Sequence, residues 1–127
     1  SVSAFLLNRS SDLHVLSFVA VPAINHPELD ADGNITEHDA AITKNKMRTM
    51  LRIGLLHGHD SIVLGAFGCG AFHNPPHHIA QLFHEVIDEA EFKNKYKLIA
   101  FAVLEDHNSP RGGNLQPFIE EFNPYQQ

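Results

Sequence analysis

Residues 63–76 read VLGAFGCGAFHNPP. Val63 and Leu64 belong to a β-prone run that enters a loop carrying Gly65, Gly68 and Gly70. The loop leaves through Asn74-Pro75-Pro76 into a segment with helical periodicity, in which Ile79, Leu82, Phe83, Val86, Ile87 and Ala90 form one apolar stripe. Asn74 suits a helix cap, and Pro75 suits a first helical position, where no N–H is required inside the helix. The stretch therefore predicts a strand, a glycine loop and a helix in succession.

The same alternation extends in both directions. Upstream, HVLSFVAVPAI (14–24) is a nearly continuous apolar run, as expected of a strand buried on both faces of a parallel sheet. Residues 2–7 can form a short strand, with a turn over 8–12, and residues 26–34 form a polar surface loop. Thr36-Glu37-His38-Asp39 resembles a capping box, and Ile42, Met47, Met50, Leu51 and Leu55 follow at helical spacing, with Gly58 placed to stop that helix. Downstream come a charged connection, the apolar strand LIAFAVL (98–104), the loop HNSPRGG (107–113), and a last helix carrying Leu115, Phe118, Ile119 and Phe122, with Asn114 as its cap.

Strands alternating with helices imply parallel strands joined by crossovers. We therefore expect one α/β domain over residues 1–127, a three-layer α/β/α sandwich. Three central strands are little material for such a sheet. An edge strand from residues 2–7, another segment or another subunit would have to complete its core. The chain starts at Ser1 and enters an apolar segment almost at once, which fits a processed, trimmed or fragmentary chain.

Composition narrows the function classes. The 127 residues are 43% hydrophobic and 19% charged, an ordinary globular balance. The formal charge of −6 speaks against general nucleic-acid binding, which requires a basic surface. No apolar run is long enough to span a bilayer, and no targeting signal is visible, so the expectation is a soluble intracellular protein, cytoplasmic or nuclear, with no membrane partner. A single cysteine cannot form an internal disulfide, which makes a reducing compartment the default.

An acidic chain can still hold a phosphate through backbone N–H groups. In open α/β sheets, ligands sit beyond the carboxyl ends of the strands, where residues 66–74 are expected. Glycines at 68 and 70 would allow positive φ and close approach by an oxygen, while Phe67 and Phe72 would supply apolar walls for a ribose or base. A plain tight turn explains the glycines as well. Neither GxxxxGK[ST] nor GxGxxG occurs.

Cys69 near a helix start raises the alternative of a cysteine hydrolase, although Phe67-Gly68-Cys69-Gly70-Ala71 does not match a nucleophile elbow. The ten histidines include His57-x-His59 and the group His73, His77, His78 and His84, but HExxH is absent and the lone cysteine has no CxxC partner. No metal or cofactor is expected. Glu105-Asp106, just after the third strand, could meet a ribose hydroxyl or an adenine amine. A solvated surface loop is the preferred account of that pair.

Taken together, LHVLSFVAVPAIN, MRTMLRIGLLHGH, VLGAFGCGAFHNPP and LIAFAVLED resemble the second half of the microbial-type poly(ADP-ribose) glycohydrolases, a branch of the macrodomain superfamily. The resemblance runs from about Leu13 to Phe122, and VLGAFGCGAF followed by Asn-Pro is its most specific part. It implies a macrodomain fold, incomplete in these residues, and ADP-ribose or poly(ADP-ribose) as ligand. Ala66, Phe67, Gly68, Cys69, Gly70, Ala71 and Phe72 would form the loop around the diphosphate and distal ribose, and Leu104 would line the adenosine side. The family's signature, a glycine triplet followed by Gln-Glu-Glu that carries the acid/base glutamate, does not occur in these residues. No catalytic residue is therefore assigned, and the chain is expected to act with a missing N-terminal half, with another subunit, or as a non-catalytic ADP-ribose-binding module.

Overall fold

The structure, a computed structural model, describes residues 2–9 and 12–123, with side chains from residue 16 onward. Its elements are β1 (Val2–Arg9), β2 (Asp12–Val19), α1 (Glu37–Leu56), β3 (Ser61–Leu64), α2 (Pro76–Ile87), β4 (Leu98–Phe101) and α3 (Leu115–Phe122). Among the described residues no helix is long and apolar enough to cross a membrane.

The expected strand, loop and helix are all present. β3 lies parallel to β4 with Ile62 opposite Ile99 and Leu64 opposite Phe101, and α2 is the crossover between them. The apolar stripe of α2 supplies the centre of the core: Ile79, Leu82, Phe83 and Val86 are all buried. Ala90, expected on the same stripe, falls beyond the helix and is exposed. Met47 and Leu51 of α1 meet that stripe, each fully buried, while Phe118 of α3 and Phe92 close the remaining sides. Each such side chain contributes ~1.5–3 kcal/mol by leaving water. The fold is thus a small α/β unit with its helices packed around β3 and β4.

The upstream strand departs from expectation. β2 is antiparallel to β1, with Val2 opposite Val19 and Arg9 opposite Asp12, and this hairpin is a sheet separate from β3–β4. The strand ends at Val19 rather than continuing to residue 24, and Leu16 and Phe18 are 44% and 42% exposed. A continuous apolar run signals burial on two faces without naming the neighbour that buries them. Here β1 satisfies one edge, and no described strand covers the other. Of the expected turn over 8–12, residues 8 and 9 belong to β1 and Asp12 opens β2, while residues 10 and 11 lie outside the described residues.

Three caps also differ. Thr36 occupies the N-cap of α1 without a side-chain bond. Asp39 instead accepts the Glu28 N–H at 3.2 Å, tying the preceding loop to the helix start. In α2 the N-cap is Pro75 and the first helical residue is Pro76, one position later than expected. Asn114 caps α3 by position only, its side chain turned to Ser109 Oγ at 3.3 Å. Gly58 does follow α1 in the left-handed region, with φ 77°.

Candidate functional site

The loop from Gly65 to Asn74 leaves the carboxyl end of β3 and delivers the chain to α2. Its shape rests on Asn74, which is 2% exposed and donates through Nδ2 to the Ile24 carbonyl at 2.8 Å and the Gly68 carbonyl at 3.0 Å. The Asn74 N–H also donates to the Gly68 carbonyl, at 2.9 Å. The residue expected to cap α2 therefore fastens the loop to the segment after β2. A second fastening is the His26 N–H donating to the Phe72 carbonyl at 2.8 Å, with the His26 and His73 rings 4.6 Å apart. Nothing in the local pattern of residues 63–76 announces either long-range tie.

The two central glycines serve different ends. Gly68 has φ +72°, and a Cβ there would lie 2.6 Å from the Ala23 Cβ and 3.0 Å from the Asn74 Cγ. Its lack of a side chain is required by packing. Gly70 is not in the left-handed region, contrary to expectation, and a Cβ there would meet nothing within 4 Å. Its small size leaves the backbone open on the solvent side.

Backbone bonding divides the loop further. The Cys69 N–H donates to the Ala66 carbonyl at 3.0 Å and the His73 N–H to the Gly70 carbonyl at 3.0 Å. Among the described residues, the N–H groups of Ala66, Phe67 and Gly68 have no hydrogen-bond partner, and neither do those of Gly70, Ala71 and Phe72. Gly70, Ala71 and Phe72 follow one another ahead of α2, whose dipole favours negative charge at its N-terminus. Ala71 is exposed and Phe72 is 38% exposed beside them. Phe67 turns the other way, edge-on to Phe83 with centroids 6.4 Å apart. Leu104 stands 82% exposed beyond the end of β4.

The thiol of Cys69 is unsuited to nucleophilic work. The residue is 2% exposed, its Sγ lies 3.7 Å from the Phe67 carbonyl, and burial pushes its pKa up to about 12. Only the thiolate attacks, so the cysteine-hydrolase alternative loses its nucleophile. Cys69 is a small packing residue within the core.

The remaining candidates are mostly occupied. The Glu105 carboxylate accepts the Leu115 N–H at 2.6 Å, where it faces the positive end of α3, and Asp106 accepts the Asn108 N–H at 2.8 Å. Both act within the 105–115 loop. His78 Nδ1 accepts the Ile35 N–H at 2.9 Å, and burial lowers its pKa, so the ring is neutral. His77 bonds Asn34 at 2.7 Å, and His84 lies between Asp88 at 3.1 Å and Glu121 at 2.8 Å. Among the described residues, no group of three metal-ligating side chains converges.

Two hollows flank the loop. A cleft of about 560 Å³ separates His73–His77 from residues 107–113 and is lined by His73, His77, His107 and Arg111. On the other side, an apolar groove of about 600 Å³ runs between β2 and β3, ending at Gly65, Ala66 and Phe67.

Comparison with known proteins reaches the same family as the sequence resemblance. No family model and no curated protein matches the sequence. Solved structures do match. The poly(ADP-ribose) glycohydrolase of Thermomonospora curvata shares 26% identity over 88% of this chain and 40% of its own, with a TM-score of 0.73. The Deinococcus radiodurans poly(ADP-ribose) glycohydrolase in complex with ADP-ribose shares 29% identity over 71% of this chain and 35% of its own, at 0.62. The apo form of the Deinococcus enzyme matches at 30% identity, covering 68% of this chain and 34% of its own, at 0.60. The chain is therefore similar in sequence and in fold to microbial poly(ADP-ribose) glycohydrolases, and spans about a third to two fifths of the structures it matches.

Proposed function

We propose that this chain is the ADP-ribose-binding portion of a poly(ADP-ribose) glycohydrolase of the macrodomain type. The observation that carries the reading is the run of three unpartnered N–H groups, Gly70 to Phe72, on the open side of the glycine loop. A diphosphate brings oxygens of the complementary charge, and hydrogen bonds to a charged group contribute ~1.5–3 kcal/mol each. A structure matched by this chain is a complex with ADP-ribose, the ligand that combines a diphosphate with two riboses and a base.

In this reading residues 66–72 are the phosphate-binding loop. Gly70, Ala71 and Phe72 donate to the diphosphate, and the Phe72 ring lies against the distal ribose. Ala66 and Phe67 form the inner wall of the loop, Gly68 and Cys69 hold its shape, and Leu104 lines the adenosine side. The three-layer α/β/α sandwich is then a property of the whole glycohydrolase domain, of which residues 1–127 form one part. The acid/base glutamate lies outside these residues, because neither a glycine triplet nor Gln-Glu-Glu occurs in the sequence. That same absence favours the second reading, a non-catalytic ADP-ribose-binding module.

Isothermal titration with ADP-ribose tests the proposal. Gly70→Val fills the open side of the loop without entering any packed space, and is expected to weaken binding ~10–100-fold with unchanged thermal unfolding. Undiminished affinity in that variant would remove the loop from the site. Release of ADP-ribose from the polymer, once the rest of the domain is supplied, separates the glycohydrolase from the inert module.

A further inference from the structure

Residues 26–36 form a small hairpin that touches both the diphosphate loop and the first turn of α2. Leu29 and Ile35 pair in an antiparallel bridge, and the Thr36 N–H donates to the Glu28 carbonyl at 3.0 Å. At the tip, the Asp30 carboxylate accepts the N–H groups of Asp32 and Asn34, at 2.9 and 3.0 Å. The hairpin is thus braced from within. Its leading end is tied to the loop, where the His26 N–H donates to the Phe72 carbonyl at 2.8 Å and Pro27 is buried. Phe72 is also one of the loop residues whose own N–H has no partner among the described residues.

Two consecutive histidines of α2 clasp the returning arm. His77 Nε2 lies 2.7 Å from Asn34 Oδ1, and His78 Nδ1 accepts the Ile35 N–H at 2.9 Å. The two bonds are not equivalent. The His77–Asn34 bond is exposed, so water can replace it. Ile35 is 3% exposed, and an N–H left unpaired there carries its full desolvation penalty.

An imidazole accepts at Nδ1 only while that nitrogen carries no proton, and protonation of His78 would set one N–H against another. Burial of the half-buried ring opposes that charge most strongly, and neighbouring His77, its ring centroid 6.5 Å away, opposes it too. Two carboxylates favour it: Glu85, two turns along α2 and shared with Lys44 of α1 at 2.8 Å, and Asp30 of the hairpin tip. The balance lowers the pKa of His78. The clasp is therefore complete above the ordinary histidine value of ~6.5 and is lost as pH falls through the lower folded one.

We propose that His78 is a positioning residue for the diphosphate loop: neutral, it holds the 26–36 hairpin against α2, and protonated, it releases the hairpin and loosens the loop at Phe72. The consequence for ligand affinity rests on the ADP-ribose reading above, whereas the clasp itself does not.

Amide hydrogen exchange and ADP-ribose titration of the chain at about pH 7.5 and about pH 5.5 test the proposal. Corrected for intrinsic exchange, protection of the Ile35 and His26 amides should fall ~3–10-fold on acidification, while that of Phe83 and Val86 in the core of α2 stays unchanged. ADP-ribose affinity should fall by a similar ~3–10-fold. His78→Asn places an amide oxygen near the position of Nδ1 and does not titrate, so it should keep the protection and remove both pH effects. His26 and His73 are present in both chains, and the difference between them therefore belongs to His78.

Ile35 protection that ignores pH, or that responds equally in His78→Asn, overturns the proposal. So does an Ile35 response that leaves the His26 amide unchanged, because the hairpin would then not act on the loop. If His78→Asn unfolds, NMR titration of the His78 ring in the native chain serves instead. Its midpoint should coincide with that of the Ile35 amide, and separate midpoints would defeat the clasp. Absence of ADP-ribose binding at either pH defeats only the ligand reading, since the two amides still decide the role of His78.

Discussion

The two faces of α1 lie in opposite situations. Towards α2 the helix is sealed: Met47 and Leu51 are fully buried against Ile79, Phe83 and Val86. Three ion pairs edge that seam, Lys44–Glu85 at 2.8 Å, Arg48–Glu89 at 2.7 Å and Arg52–Glu91 at 2.5 Å. Towards β2 the same helix lines the open groove, where Leu16, Phe18 and Val63 remain exposed. One face has spent its apolar surface and the other has not. Stability of the isolated chain therefore belongs to the α1–α2 side.

Substituting the two faces should break this contrast or sharpen it. The largest effect is expected for Phe83→Ala, which empties a fully buried site and should cost ~3–5 kcal/mol in chemical denaturation. Leu16→Ser, equally apolar in origin but exposed, should change the same measurement by no more than ~0.5 kcal/mol. Equal effects at the two sites would mean that the groove is closed in solution.

The loop that borders both faces comes next. Gly68→Ala forces a side chain into a positive-φ position against Ala23 and Asn74, and should cost more than ~2 kcal/mol. Asn74→Ala leaves the partly buried Ile24 carbonyl without its donor, at ~1–3 kcal/mol. Gly70→Val, two residues away, should leave thermal unfolding unchanged.

Cys69 reports on the sealed side through pH. Its folded pKa is raised to about 12, above the value of ~8.5 for a free thiol, so the folded state favours the protonated form. Stability is complete below the unfolded value and falls as pH rises beyond it, by ~1.4 kcal/mol per unit until the folded pKa is reached. Denaturation midpoints between pH 8 and 10 measure this slope, and Cys69→Ser should flatten it. Iodoacetamide at pH 8 should label the thiol only in denaturant.

The smallest effect is expected at the rim of the seam. The bidentate bond from Arg48 lowers the Glu89 pKa, with both side chains partly exposed. A depressed carboxylate contributes stability that is complete above its unfolded value of ~4.3 and is lost as pH falls through the lower folded one. Arg48→Ala should cost ~0.2–1 kcal/mol at neutral pH and nothing once Glu89 is protonated. Acid titration of both proteins by circular dichroism checks the convergence.

Much of the fold was legible along the chain because its causes are local. The α2 stripe repeats every three to four residues, β3 and β4 are compact apolar runs, and Gly58 sits where a helix must reverse. The loop was also legible as a candidate site, through its glycines and its position before a helix. What remained hidden involves residues far apart. Asn74 reads as a cap from its neighbours, yet its partner Ile24 is fifty positions away. Phe67 and Phe72 look equivalent in sequence, but Phe83 draws one inward and leaves the other out.

By itself the sequence determined the alternation of strands and helices, the glycine loop between β3 and α2, and the resemblance to a glycohydrolase half. These depend on periodicity and on spacings of a few residues. Only the tertiary structure decided that Cys69 is buried beyond use as a nucleophile, that the N–H groups of Gly70 to Phe72 are left without partners, and that β2 stands apart from β3. Burial, hydrogen-bond satisfaction and strand neighbours are set by groups that meet only when distant segments pack, and no local pattern encodes them.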